Sequence, residues 1–331
     1  GTTASGNTAI GYAAMENAAT TTEHNVAVGW YAGREAMGNH NTIIGSEAHR
    51  GVVSTSTGEQ NVAIGRQALY AQTTSSYNTA VGYQAADSQT TGGSSVALGW
   101  RALSVNSTGS RNVAVGYESL QNTAKDGNVG LGYRAGKNNT TGTGNVYIGD
   151  NAGPSSTNTD SDKLYINNAA GTPLIGGDFA AYQVHMNANV GIGNTNPQAK
   201  LHLSAGSSNE PVLLMENTNA DDSAPFITFN KNSASPADGD ELGYIQFKGD
   251  DSAGNSDLFA DIYSSAEDVS TTTEDGSITL RTLTAGTLTK TMVLKSSNVG
   301  IGTDSPARKF EVNVGANSGY MRIVGQSKSL L

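Results

Sequence analysis

Along the first half of the chain one order of polar and apolar positions recurs: asparagine, a β-branched residue, a small residue, an aliphatic residue, glycine. It reads NTAIG at 7–11, NVAVG at 25–29, NVAIG at 61–65, NTAVG at 78–82 and NVAVG at 112–116. Aligned on the first residue, nine cores begin at Asn7, Asn25, Asn41, Asn61, Asn78, Ser95, Asn112, Asn128 and Asn145, spaced 16 to 20 residues apart. A fixed period in this range indicates a solenoid or array. With the first residue as zero, +3 is always Ile, Val or Leu, +4 is glycine in all nine cores, and +7 is Ala except at Ser119. Strand alternation puts +1 and +3 on one side and +2 on the other. The β-branched content favours short strands, and the glycine marks a bend or a close backbone approach. Each coil is therefore expected to hold two very short strands joined by turns rich in Asn, Thr, Ser and Gly.

So small a coil encloses little. Two or three apolar residues per coil bury too little surface to offset the ordering entropy of one chain. The Ala columns at +2 and +7 suggest backbones meeting closely, as across a subunit interface. An obligate homo-oligomer is expected, with a trimer favoured.

The second half changes pattern. NVGIGNTNPQAKLHL at 189–203 is echoed by NVGIGTDSPARKFEV at 298–312, with Pro197 and Pro306 eight residues after Asn and Lys200 and Lys309 eleven after. Between these copies PFITFNK, ELGYIQFKG, DGSITLRTL and TKTMVLKSS read as short strands around acidic turns.

Composition narrows the function classes. The 331 residues include 41 glycines, 15% charged residues and no cysteine, which excludes disulfides, thiolate metal sites and a cysteine nucleophile. No apolar run approaches the roughly 18 residues of a membrane helix, so a soluble chain without membrane insertion is expected. There is no initiator Met and no signal-like start, so a processed N-terminus or a start inside a longer protein is expected. The net charge is −10, and 15 acids against two bases, Lys231 and Lys248, fall between Glu210 and Asp275. An acidic surface repels phosphate backbones and disfavours nucleic-acid binding.

NTAIGYAA, NVAIGRQAL and SVALGWRAL resemble the head repeats of trimeric autotransporter adhesins, the YadA-like β-roll, which also occurs in phage tail fibres. The duplicated N-V-G-I-G-x-x-x-P-x-x-K motif is similar to fibre proteins that end in an auto-cleaving intramolecular chaperone. The resemblance implies an all-β fold: a trimeric, left-handed parallel β-roll or solenoid of nine short repeats, followed by a β-rich fibre or knob module. The organisation expected is a β-roll over 5–153, a connector over 154–188, a collar motif over 189–203, a shaft or knob module over 204–297, and a second collar with the C-terminal end over 298–331. The family's chaperone segment does not follow here. We expect that it was removed after assembly or that the sequence is truncated, with Ser327 or Ser329 near a former cleavage point.

Five constellations carry candidate chemistry. GLGYRAGK at 130–137 has Gly132 and Gly136 but lacks the spacing and the Lys-Ser/Thr of a phosphate loop, since Asn138 follows Lys137. His24 and His40 each precede a core asparagine and should stack on adjacent coils. They read as turn residues on the solvent edge, with a metal or pH-sensing site as the alternative. Position +5 holds Tyr12, Trp30, Tyr83, Trp100, Tyr117 and Tyr133. This aromatic column is expected to pack between chains, and a receptor-contacting surface for sugars is the alternative. Asp221–Asp222, Asp238–Asp240–Glu241 and Asp250–Asp251 read as solvated turns, with Ca²⁺ ligation or a glycosidase carboxylate pair as alternatives. No serine–histidine–acid set can be assembled, because neither His185 nor His202 lies in a catalytic motif.

The expected function is that of a non-enzymatic, homotrimeric viral fibre with no catalytic, cofactor or metal residues. It would project from the virion into the extracellular space, joined to other virion tail proteins. There it would engage a host-surface glycan or protein receptor by avidity. The alternatives are a tailspike-like polysaccharide depolymerase and a bacterial trimeric adhesin head.

Overall fold

Each of the nine cores forms one three-residue strand: β1 (Thr8–Ile10), β2 (Val26–Val28), β3 (Thr42–Ile44), β4 (Val62–Ile64), β5 (Thr79–Val81), β6 (Val96–Leu98), β7 (Val113–Val115), β8 (Val129–Leu131) and β9 (Val146–Ile148). In the computed structural model, which describes residues 6–314 except 20, 37, 53–54, 208–209, 212 and 221–223, these strands stack in parallel and in register. Ala63 lies opposite Ala80, Ala80 opposite Ala97, and Ala97 opposite Ala114. The described residues are all-β with no helix, and 6–153 form a β-solenoid of nine turns.

The expected second strand of each coil is absent among the described residues, for a conformational reason. Positions +6 and +8 are left-handed in coil after coil, as at Gln84 (φ 52°) and Ala86 (φ 50°), or Arg101 (φ 51°) and Leu103 (φ 57°). Left-handed residues break an extended run. The segment still bonds from coil to coil, through pairs such as Gln84 N–H to Arg66 O and Ala86 N–H to Ala102 O. The +4 glycine answers the expected close approach. Gly99 sits at φ 135°, and a Cβ there would stand 2.5 Å from Gly116 O on the next coil.

The core asparagine is a coil-to-coil clamp. Asn41 Oδ1 accepts the N–H of Asn61, Asn61 Oδ1 accepts that of Asn78, and Asn78 Oδ1 accepts that of Ser95. The amide nitrogen completes the set: Asn61 Nδ2 donates to Ser75 O and Asn128 Nδ2 to Gly142 O. Ser95 keeps the ladder with its hydroxyl, which accepts the N–H of Asn112. Burying such polar groups is tolerated because each finds partners. A second amide row at +11 closes the turns, as where Asn106 Oδ1 accepts the N–H of Gly109 and its Nδ2 donates to Gly109 O.

The Ala columns correct an expectation. Ala63, Ala80 and Ala68, Ala85, Ala102 are fully buried within their own chain, so they fill the coil interior and form no subunit interface. The left-handed corners fold each coil so tightly that methyl groups already fill the gap between its walls. What remains outward is the +1/+3 side of the strands, where +3 is aliphatic in every coil and +1 is Val or Thr.

Residues 154–188 do more than connect. β10 (Lys163–Ile166) adds a tenth parallel rung on β9, with Lys163 N–H donating to Asn145 Oδ1. β11 (Ile175–Asp178) and β12 (Gln183–Met186) then turn antiparallel at the sheet's end. The first collar copy makes β13 (Val190–Ile192) and β14 (Leu201–Leu203), paired in parallel.

Contacts divide the chain into Gly1–Val212 and Leu213–Leu331. The second unit is a six-stranded sheet of β15 (Glu241–Asp250), β16 (Ser256–Asp268), β17 (Asp275–Thr284), β18 (Thr287–Lys295), β19 (Asn298–Ile301) and β20 (Phe310–Val312), ordered as in sequence. All its pairs are antiparallel except β19–β20, the second collar copy. The two collars share their bonding. Asn189 Nδ2 donates to Pro197 O at 3.1 Å and Asn298 Nδ2 to Pro306 O at 2.9 Å. Val190 and Val299 N–H donate to Lys200 O and Lys309 O. The Asn-to-Pro spacing of the motif is the span of that bond.

Candidate functional site

On the solenoid's exterior, the +5 side chains of neighbouring coils stand one above another because the coils are in register. Tyr83, Trp100, Tyr117 and Tyr133 stack nearly parallel, with centroid separations of 6.1, 4.5 and 5.1 Å. Guanidinium groups border the row: Arg66 over Tyr83, Arg101 over Trp100, and Arg134 over both Tyr117 and Tyr133 at 5.8 and 4.9 Å. Such cation–π contacts are worth about 0.5–1 kcal/mol each at exposed sites. Arg134 is fixed further by Glu118, whose carboxylate also takes Lys137. Despite desolvation, hydrogen bonds from Lys137 and Arg134 hold the Glu118 carboxyl below its usual range.

This geometry separates the two uses the column could have. A sugar ring stacks on an aromatic face. Both faces of Trp100 and of Tyr117 are taken by neighbouring rings, so these side chains turn their edges outward. Trp30 differs. Ser46 and Arg66 interrupt the column after it. Its ring meets Tyr31 edge-on at 4.1 Å, Tyr31 meets Tyr12 at 5.5 Å, and Trp30 is 48% exposed.

His24 and His40 do stack, with centroids 5.0 Å apart and planes within 2°. Parallel rings aim their nitrogens along parallel lines rather than at one point, which is poor geometry for a shared ion. The acidic turns are occupied by their own backbones. Asp251 accepts the N–H groups of Ala253 and Asn255, Asp240 accepts the N–H of Ala237 and the Lys231 ammonium, and Asp238 accepts the N–H of Val269. Asp221 and Asp222 lie outside the described residues, as do Ser327 and Ser329. Among the described residues no three His, Asp or Glu side chains converge as metal ligands. We expect EDTA to leave the thermal unfolding curve of the full chain unchanged; a lower midpoint would reveal a bound cation.

Sequence reasoning passed over a histidine buried inside the solenoid. His49, at +8 of the third coil, is fully buried, and its N–H donates to Ala68 O on the next coil. The signal was its column, which in the other eight coils holds only Gly, Ala, Leu or Met. Its Nε2 hydrogen-bonds Gln72 Oε1, and because Gln72 Nε2 donates to Ser75 O, His49 is the donor. Burial pushes the imidazole down to about 4, against a smaller upward pull from Gln72. A depressed histidine contributes stability that is complete above its unfolded value near 6.5 and is lost as pH falls towards 4. The loss should total about 3 kcal/mol. Urea midpoints of wild type and His49→Leu at pH 7 and pH 4 check this; the wild type should lose more, and equal losses would contradict it.

The fold and surface define a class: a parallel β-solenoid with an amide-clamped interior and an aromatic strip outside. No family model matches the chain, and no curated protein matches it. No described helix is long and apolar enough to cross a membrane.

Proposed function

We propose that this chain is a non-enzymatic structural fibre protein that assembles as a homotrimer, joins other tail proteins of a virion and carries host-cell attachment. The observation that carries the reading is the uncovered apolar strip. Val26, Ile44, Leu131 and Ile148 are 37–40% exposed on one side of strands whose other side is packed full. A monomer in water gains nothing from such a strip, whereas copies meeting along it bury one aliphatic row per coil. In-register coils clamped by buried amides suit a stiff rod. Threefold repetition would let weak receptor contacts act together.

Within this reading the Tyr83–Tyr133 stack locks chains together, and Trp30 with Tyr12 is the surface offered to a host glycan or protein. Trp100→Ala and Trp30→Ala test the division. Trp100→Ala should weaken assembly, read as a lower dissociation temperature. Trp30→Ala should leave the oligomer intact and reduce binding of labelled protein to host cells. Unchanged cell binding by Trp30→Ala would sink the receptor assignment. Release of reducing sugars from host polysaccharide would replace the whole reading with a depolymerase.

A further inference from the structure

The six-stranded sheet of the second unit segregates charge between its two faces. One face carries the ion pairs Arg281–Asp261 and Lys295–Glu267, with Asp261 almost fully buried. Strand register assigns the other face. Across all six strands Ile245, Ile262, Leu280, Met292, Ile301 and Val312 are paired in one continuous row. A second row runs beside it through Ser264, Ile278, Leu294, Val299 and Phe310. Paired residues share a face, so neither row contributes a charge. Ile278 and Phe310 are 46% and 58% exposed. Phe229 covers one corner, over Gly243, beside an open recess of about 160 Å³ lined by Ile245, Ile262 and Ile278.

We propose that this uncharged face is a self-association surface, packed in the assembled protein against the same face of other copies of the chain. The inference rests on the homotrimer reading and extends it to the second unit. The two rows offer one hydroxyl, Ser264, and no charge, so a charged surface laid on them would be desolvated without a partner. The chemistry that fits them is another uncharged aliphatic face, and each further copy supplies one. Six strands about 4.8 Å apart, with the two rows spanning about four residues of strand length at about 3.3 Å each, make roughly 400 Å² per copy. A stable interface needs about 800 Å² per partner, so this face adds to the solenoid strip rather than replacing it.

The chain has no cysteine, so single introduced thiols report cleanly. Maleimide labelling of the assembled full chain carrying Ile278→Cys is compared with Ser252→Cys, in the exposed β15–β16 turn, and Leu294→Cys gives a second reading of the face. Ile278→Cys and Leu294→Cys should label about tenfold more slowly than Ser252→Cys, and equally fast once urea has dissociated the copies. Light scattering on the same samples gives the mass. A trimeric mass with all three thiols labelling equally fast would overturn this inference and leave the homotrimer standing. A monomeric mass would overturn both.

Discussion

Asn61→Asp is expected to destabilise the solenoid by about 3–5 kcal/mol at neutral pH, far more than its near-isosteric shape suggests. Asn61 is fully buried. Its Oδ1 accepts from Asn78 N–H at 3.0 Å, and its Nδ2 donates to Ser75 O at 3.0 Å. A carboxylate keeps the first bond but sets a second anionic oxygen against the Ser75 carbonyl, with no cation to offset it. Burial and that repulsion both raise the carboxyl's pKa in the folded state. The penalty is therefore absent below the unfolded value near pH 3.9 and grows as pH rises above it. Measured against wild type at each pH, the urea midpoint should fall from pH 4 to pH 7. Asn61→Ala, which removes these bonds and the one from Asn78 Nδ2 without adding charge, should show a loss independent of pH. A flat profile for Asn61→Asp would mean that the clamp is solvated.

Gly99→Ala is the second large effect, at about 4 kcal/mol. The backbone at φ 135° costs an L-residue about 1–3 kcal/mol, and a Cβ 2.5 Å from Gly116 O adds overpacking of similar size. Gly254→Ala separates the two contributions. That glycine has φ 82° with nothing within 4 Å of a Cβ, so it should lose about 1 kcal/mol. Equal losses at the two positions would show that coil-to-coil contact at the glycine contributes nothing.

The nine strands, their register and the glycine corner were legible in the sequence because each rests on a column of one residue type. The asparagine column was as plain, yet its clamping role depends on a coil-to-coil geometry that no linear pattern states. The Ala columns were read in the wrong direction. Alanine fits close approach inside a coil as well as between chains, and the deciding quantity is coil width. That width follows from left-handed residues as varied as Gln84, Arg101 and Glu118, which share no side-chain chemistry. The tenth rung was hidden because Lys163 stands at the asparagine position and Asn167 at the glycine position. Of the candidate site, the aromatic column was visible from spacing alone. That its inner faces are already covered, leaving Trp30 as the different member, needed ring orientations.

Light scattering on the purified full chain tests the central claim, that this solenoid is built to be covered by its own copies. Three copies of a 34.0 kDa chain give a particle of about 102 kDa, and that mass should persist on dilution. A folded, soluble particle of 34.0 kDa, with its aliphatic strip open to water, would contradict it.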